Sequence, residues 1–167
     1  MISEIKAALN KVARQGRAGQ FDSDGDWTMG VDHELATIGK GKHYIVRCCK
    51  NTPARNGPGF LFDHVWLSCD RDNNLKTCKM ILECEWNQHD KKIREDFCKL
   101  LLGKAPLKIM VFQKATESEV GETFEKIETW IHKFTYADSA KETYLLCGFV
   151  YDRNEQYFRY KRIVSNN

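Results

Sequence analysis

Residues 107–113, LKIMVFQ, constrain the fold more than any other segment of this chain. The run is short and almost continuously apolar, which is the pattern of a strand buried on both faces. Helical periodicity flanks it on either side. Ile93, Phe97, Leu100 and Leu101 recur at helical spacing over 89–103, and Gly103 ends that segment. Val120, Phe124, Ile127 and Ile131 do the same over 117–134. A buried strand between two amphipathic helices calls for a sheet whose faces are covered by helices.

The rest of the chain is consistent with that core. Residues 2–15 carry Ile2, Ile5, Leu9 and Val12 at helical spacing, with Lys6, Lys11 and Arg14 on the other face. A loop follows, GRAGQFDSDGDW. Its DSDGD stretch lacks the glycine offset and the closing glutamate of a calcium loop. A second helix is predicted over 28–39, capped by Asp26 or Thr28, with Val31, Leu35 and Ile38 as its stripe and Glu34 at its border. Strand-like runs occupy 43–49, 60–69 and 78–86. The turn-rich DRDNN between the last two predicts a hairpin. Residues 143–152 and 156–164 form a closing hairpin. The expected order is α-α-β-β-β-α-β-α-β-β, an α/β chain with a central mixed β-sheet.

The 167 residues predict a single domain. No apolar run approaches the ~18 residues of a membrane span. The first residues lack the apolar segment of a secretory signal. The seven cysteines are odd in number and form no CxxC, so they read as reduced, mostly buried thiols of a cytoplasmic protein. A net charge of +3 permits nucleic-acid binding without arguing for it, because affinity follows clustered charge.

The chemistry resides in acids that interrupt apolar strands. Asp63 lies within FLFDHVW, and Glu83 and Glu85 lie within MILECEW. A carboxylate on a buried strand is costly unless it is paired. Glu83 and Glu85, two apart, share one strand face. A hairpin turn centred on Asn73 would set Asp63 opposite Glu83 on that face. His64 then points to the opposite face and packs. Converging carboxylates make a hard, oxygen-rich site suited to Mg²⁺ or Mn²⁺.

An Asp on one strand, followed by an acidic tripeptide on the next, resembles the PD-(D/E)XK nucleases. The match is Asp63 for the first acid and Glu83 for the second, with Glu85 where the family usually has lysine. The resemblance spans about 28–113 in the order helix, three strands, helix, strand. It implies a restriction-endonuclease-like three-layer α/β/α fold, with helix 2–15 and hairpin 143–164 as additions to a single nuclease-like domain. It implies a metal-dependent endonuclease using Mg²⁺ or Mn²⁺, held by Asp63, Glu83 and the Cys84 carbonyl. Glu85 would orient or deprotonate water. Lys99, on one helical face with Asp96, would supply the positive charge absent at position 85. Glu34 and Asp96 are the additional acids that such a fold projects toward its metal.

Substrate contacts are expected from Lys50 and Arg55 in the loop 50–58, and from Arg159 and Lys161 on the last strand. The basic face of the first helix, extended by Arg17, is another candidate. The expected partner is nucleic acid, DNA ahead of RNA, with no membrane. A homodimer would let two sites cut two strands. The departure at position 85 keeps a second function open: a catalytically inactive nuclease-fold protein that binds nucleic acid or protein.

Overall fold

The structure, a computed structural model, describes residues 1–48, 61–134, 141–152 and 155–165. Among these residues the chain forms an α/β protein with four helices and a six-stranded mixed open sheet, in strand order β1-β2-β3-β4-β5-β6. Among the described residues no helix is long and apolar enough to cross a membrane. Its contacts cluster into two compact units, Met1–Met80 and Ile81–Asn167, and the boundary falls within β3 (Leu75–Glu85).

The first unit holds α1 (Ile2–Arg17), α2 (Asp24–Gly41), β1 (Ile45–Cys48), β2 (His64–Cys69) and the start of β3. In α1 the apolar stripe Ile5, Leu9 and Val12 is fully buried, while Arg14 and Arg17 lie in the last turn. The second helix begins earlier than the predicted residue 28. Ser23 is the N-cap: its hydroxyl accepts from the Asp26 amide, and Asp26 Oδ2 accepts from the Ser23 hydroxyl at 2.7 Å. The DSDGD stretch is therefore a reciprocal capping device that satisfies otherwise unpaired first-turn amides. Gly39 lets β-strand side chains approach closely, since a Cβ there would lie 2.6 Å from Trp66 Nε1. Trp66 in turn stacks on Tyr44.

β1 and β2 pair antiparallel, with Cys48 opposite His64. β2 begins at His64, so Asp63 stands in a bend before the strand rather than within it. The following turn also differs from expectation. Asn73 adopts φ 63°, the Asn73 amide donates to Asp70 O, and the Asp70 amide donates to Asn74 O at 3.0 Å. This is a three-residue loop closed by a left-handed residue. A turn centred on Asn73 would have set Ser68 opposite Cys78, but Ser68 Oγ meets Thr77 Oγ1 at 2.7 Å.

The second unit contains the end of β3, α3 (Asp90–Leu102), β4 (Leu107–Lys114), α4 (Glu117–Lys133), β5 (Glu142–Tyr151) and β6 (Gln156–Ser165). β4 and β5 are parallel, joined through α4, and β5 and β6 form the expected antiparallel hairpin. Ile109, Met110, Val111 and Phe112 are fully buried, as a central strand requires. Thr116 and Glu119 form a capping box that starts α4, and Val120, Phe124 and Ile127 bury its inner face. Gly148 permits α4 to lie close on β5, because a Cβ there would collide with Val120.

The six described cysteines are free. Only Cys48 and Cys147 are buried; Cys69, Cys78 and Cys84 are half-buried and Cys98 is exposed, so the expectation of mostly buried thiols is corrected. Cys98 follows the buried Phe97 on α3, and the 3.6-residue turn carries it outward.

Candidate active site

The second unit assembles a carboxylate cluster from β3 and α3. Ile81, Glu83 and Glu85 share one strand face. Glu83 is 2% exposed, within a strand whose neighbours Ile81 and Leu82 are also buried. α3 places Lys92, Asp96 and Lys99 at i, i+4 and i+7, on one face. Lys99 Nζ contacts Asp96 Oδ1 at 2.6 Å and Glu83 Oε2 at 3.4 Å. The helix thus offers a cation to the buried acid of the strand.

Glu85 is drawn into the same cluster. Burial pushes its carboxyl above the ordinary range, the Asn87 amide opposes this, and the charge and hydrogen bond of Asp96 raise it further. Lys92 pulls it back by charge alone. For Lys99, burial disfavours the charged form. The Asp96 hydrogen bond and the charges of Glu83 and Asp96 outweigh that and hold it above the usual lysine range.

The loop leaving β3 is tied down by its own polar groups. Glu85 Oε1 accepts from the Asn87 amide at 2.7 Å, and Asn87 Oδ1 accepts from the His89 amide at 2.9 Å. The Gln113 amide donates to Trp86 O, and Lys114 reaches both Gln88 O and Asp90. Asp90 also receives Lys126, and these two lysines hold its carboxyl below the usual carboxylate range. The first turn of α3 is thereby anchored on β4 and α4, which positions Asp96 and Lys99.

A stability prediction follows from Glu85. An acid whose folded pKa is raised costs nothing when both folded and unfolded states are protonated. The cost appears as pH rises above the ordinary value of 4.5, because the unfolded chain then releases its proton more readily. Glu85→Gln should therefore raise the unfolding midpoint at pH 7 and leave it unchanged near pH 3, measured by thermal denaturation. An equal gain at both values would show that burial and Asp96 do not act on the ionised form.

The remaining predicted residues are placed as follows. Asp63 is half-buried in the first unit, and Cys84 lies on the opposite side of β3 from Glu83 and Glu85. Glu34, also in the first unit, pairs with Lys11 at 2.8 Å. Arg159 is paired with Glu117, and Lys161 sits between Glu125 at 2.6 Å and Glu128 at 2.7 Å. The basic face expected of the last strand is thus neutralised by the acids of α4. Lys50 and Arg55 lie outside the described residues.

Sequence reasoning missed a second cluster. In the first unit Asp32, Cys48 and His64 are all fully buried, with ligand atoms within 4.8 Å of one another. His64 Nδ1 lies 3.0 Å from Asp32 Oδ1 and 3.2 Å from Cys48 Sγ. This is the only such set of three or more among the described residues, and its donor types could hold a metal. Trp66 works against that use. Its Nε1–H donates to His64 Nε2 at 3.0 Å, so in the neutral ring the proton sits on Nδ1 and points at Asp32. An ion at Nδ1 would have to displace that proton. The sequence signal was Asp32 at a buried position of the α2 stripe, between Val31 and Leu35.

No protein-family model matches this chain, and no match was found among curated proteins or solved structures.

Proposed function

We propose that this protein is a metal-dependent endonuclease that hydrolyses nucleic-acid phosphodiester bonds, on a restriction-endonuclease-like fold. The observation that carries the reading is Lys99, whose ammonium contacts both the buried Glu83 and Asp96. The resemblance lacks a lysine at position 85, and α3 supplies one at Glu83. The element order helix, three strands, helix, strand also accords with the family core.

The oxygen donors are of the chemical kind the cofactor prefers, although Glu83, Glu85 and Asp96 are not gathered as three converging ligands. Glu83 and the neighbouring carboxylates are hard oxygen ligands of the kind that Mg²⁺ or Mn²⁺ prefers. Glu83 and the Cys84 carbonyl would hold the ion, which when bound supplies a more acidic water and polarises the phosphate. The protein's own groups do the rest. Glu85, tethered by the Asn87 amide and pushed toward proton acceptance by burial and Asp96, takes the proton of the attacking water. Lys99 stabilises the negative charge that grows on the phosphoryl oxygens. Asp96 orients Lys99.

The test is cleavage of plasmid and single-stranded DNA, and of RNA, with Mg²⁺ or Mn²⁺ and with EDTA. Metal-dependent cleavage by the wild type is expected, and none by Glu83→Ala with an intact circular-dichroism spectrum. Asp63→Ala is the companion variant, since the resemblance makes Asp63 the first acid of the motif. Binding of nucleic acid without cleavage under every metal condition would favour the non-catalytic binding module instead. In that case the Lys99 pairs serve only to neutralise buried acids.

A further inference from the structure

The geometry points to a binding pocket for an unpaired purine base in the first unit, between the end of α1 and the start of α2. The cavity has a volume of about 330 Å³ and is open to solvent. That is the lower end of the size range of small-molecule sites, enough for one nucleoside and too little for a duplex.

Its apolar wall is Phe21 with Met29. Phe21 stands in the loop between the two helices and is only half-buried. It is nevertheless held in place. Trp27 packs against its ring at 5.0 Å with a 58° tilt. The tip of the ring abuts Gly30, where a Cβ would come within 2.6 Å of Phe21 Cζ. An aromatic ring fixed before binding offers a stacking surface at little entropic cost.

The polar wall has the complementary chemistry of a base edge. Gln15 and Gln20 line the cavity, and each amide carries both donors and an acceptor. Glu34 lines it as well, as does Asp26, whose Oδ2 already accepts from the Ser23 hydroxyl and the Asp22 amide. Carboxylates repel a phosphate but accept hydrogen bonds from an exocyclic amino group. Adenine, guanine and cytosine carry such a group, and of these the purines present the larger stacking area; uracil and thymine present carbonyls in its place. Lys11 pairs with Glu34 Oε1 at 2.8 Å and moderates its negative charge.

The proposal concerns recognition and does not require the cleavage reaction, so the two fail separately. The experiment is titration of the intact protein with adenosine, guanosine and uridine, without phosphate groups and with EDTA present. It is followed by calorimetry and by tryptophan fluorescence. The purine nucleosides are expected to bind and uridine to bind more weakly. Phe21→Ala should weaken purine binding at least about fivefold, the lower end of what loss of one stacked ring costs. Gly30→Ala should do the same by displacing the ring. The unfolding midpoint of each variant is measured so that a folding defect is recognised. If Gly30→Ala fails to fold, Phe21→Leu, which keeps apolar bulk but removes the ring, takes its place. No purine binding at millimolar concentration would overturn the proposal. So would binding of uridine or indole as tight as that of adenosine, because the site would then be an unselective apolar crevice.

Discussion

Replacing Lys99 by alanine is expected to reduce metal-dependent cleavage by about a hundred- to a thousandfold, comparable to the loss of one preorganised oxyanion donor, ~2.7–4 kcal/mol. The effect belongs in kcat more than in KM, because the charge it balances develops in the transition state. Lys99 is about half exposed. Its loss leaves the apolar stripe of α3 in place, so the fold should persist. Glu85→Lys is the paired measurement. It restores the commoner tripeptide of the resembled family, yet it also puts a cation where the structure holds a carboxyl raised by burial and Asp96. With Lys99 already present, that variant is expected to be inactive, since it removes the proton acceptor and adds a charge already supplied. Full activity in Glu85→Lys together with unchanged activity in Lys99→Ala would dismiss both roles. Single-turnover rates at saturating Mn²⁺ distinguish these outcomes.

Replacing His64 by alanine is expected to destabilise the protein by roughly 3–5 kcal/mol, measured by denaturant unfolding. His64 is fully buried and joins three side chains: it receives the Trp66 N–H, donates to Asp32 and touches Cys48. Without it a buried carboxylate loses a donor, an indole N–H loses its acceptor, and a cavity opens in the packing. Asp32→Asn keeps the shape and an acceptor oxygen for the Nδ1 proton, so its cost should be smaller. Zn²⁺ is not expected to raise the unfolding midpoint of the wild type, because binding at Nδ1 opposes the tautomer that Trp66 imposes. A clear Zn²⁺-dependent rise, lost in Cys48→Ala, would instead establish a metal site at this cluster.

The order of elements was legible in the sequence. LKIMVFQ reads as a buried strand because nothing polar interrupts it, and β4 is buried almost throughout. The α3 and α4 stripes follow from the 3.6-residue period alone, and the positions they name are the ones buried. The same local rules put Glu83 and Glu85 on one strand face and Asp96 and Lys99 on one helical face. What they could not supply was the distance between those faces. The meeting of Lys99 with Glu83 comes from how α3 crosses back after β3. The anchoring of Asp90 by Lys114 and Lys126 sets that crossing, through residues far apart in the chain.

Charge was the property that sequence determined least. Arg159 and Lys161 read as a free basic face along the last strand, and only the packing of α4 beside β6 shows them paired with Glu117, Glu125 and Glu128. Asp32 reads as one more polar residue of a helix until β1 and β2 bring Cys48 and His64 beside it. The hairpin register likewise hung on a single left-handed residue, Asn73, whose backbone conformation no hydrophobic pattern encodes. Periodicity depends on neighbours within a turn or a strand, and sequence therefore determines it. Pairing of buried polar groups depends on which elements the folded chain sets side by side, and tertiary structure alone decides that.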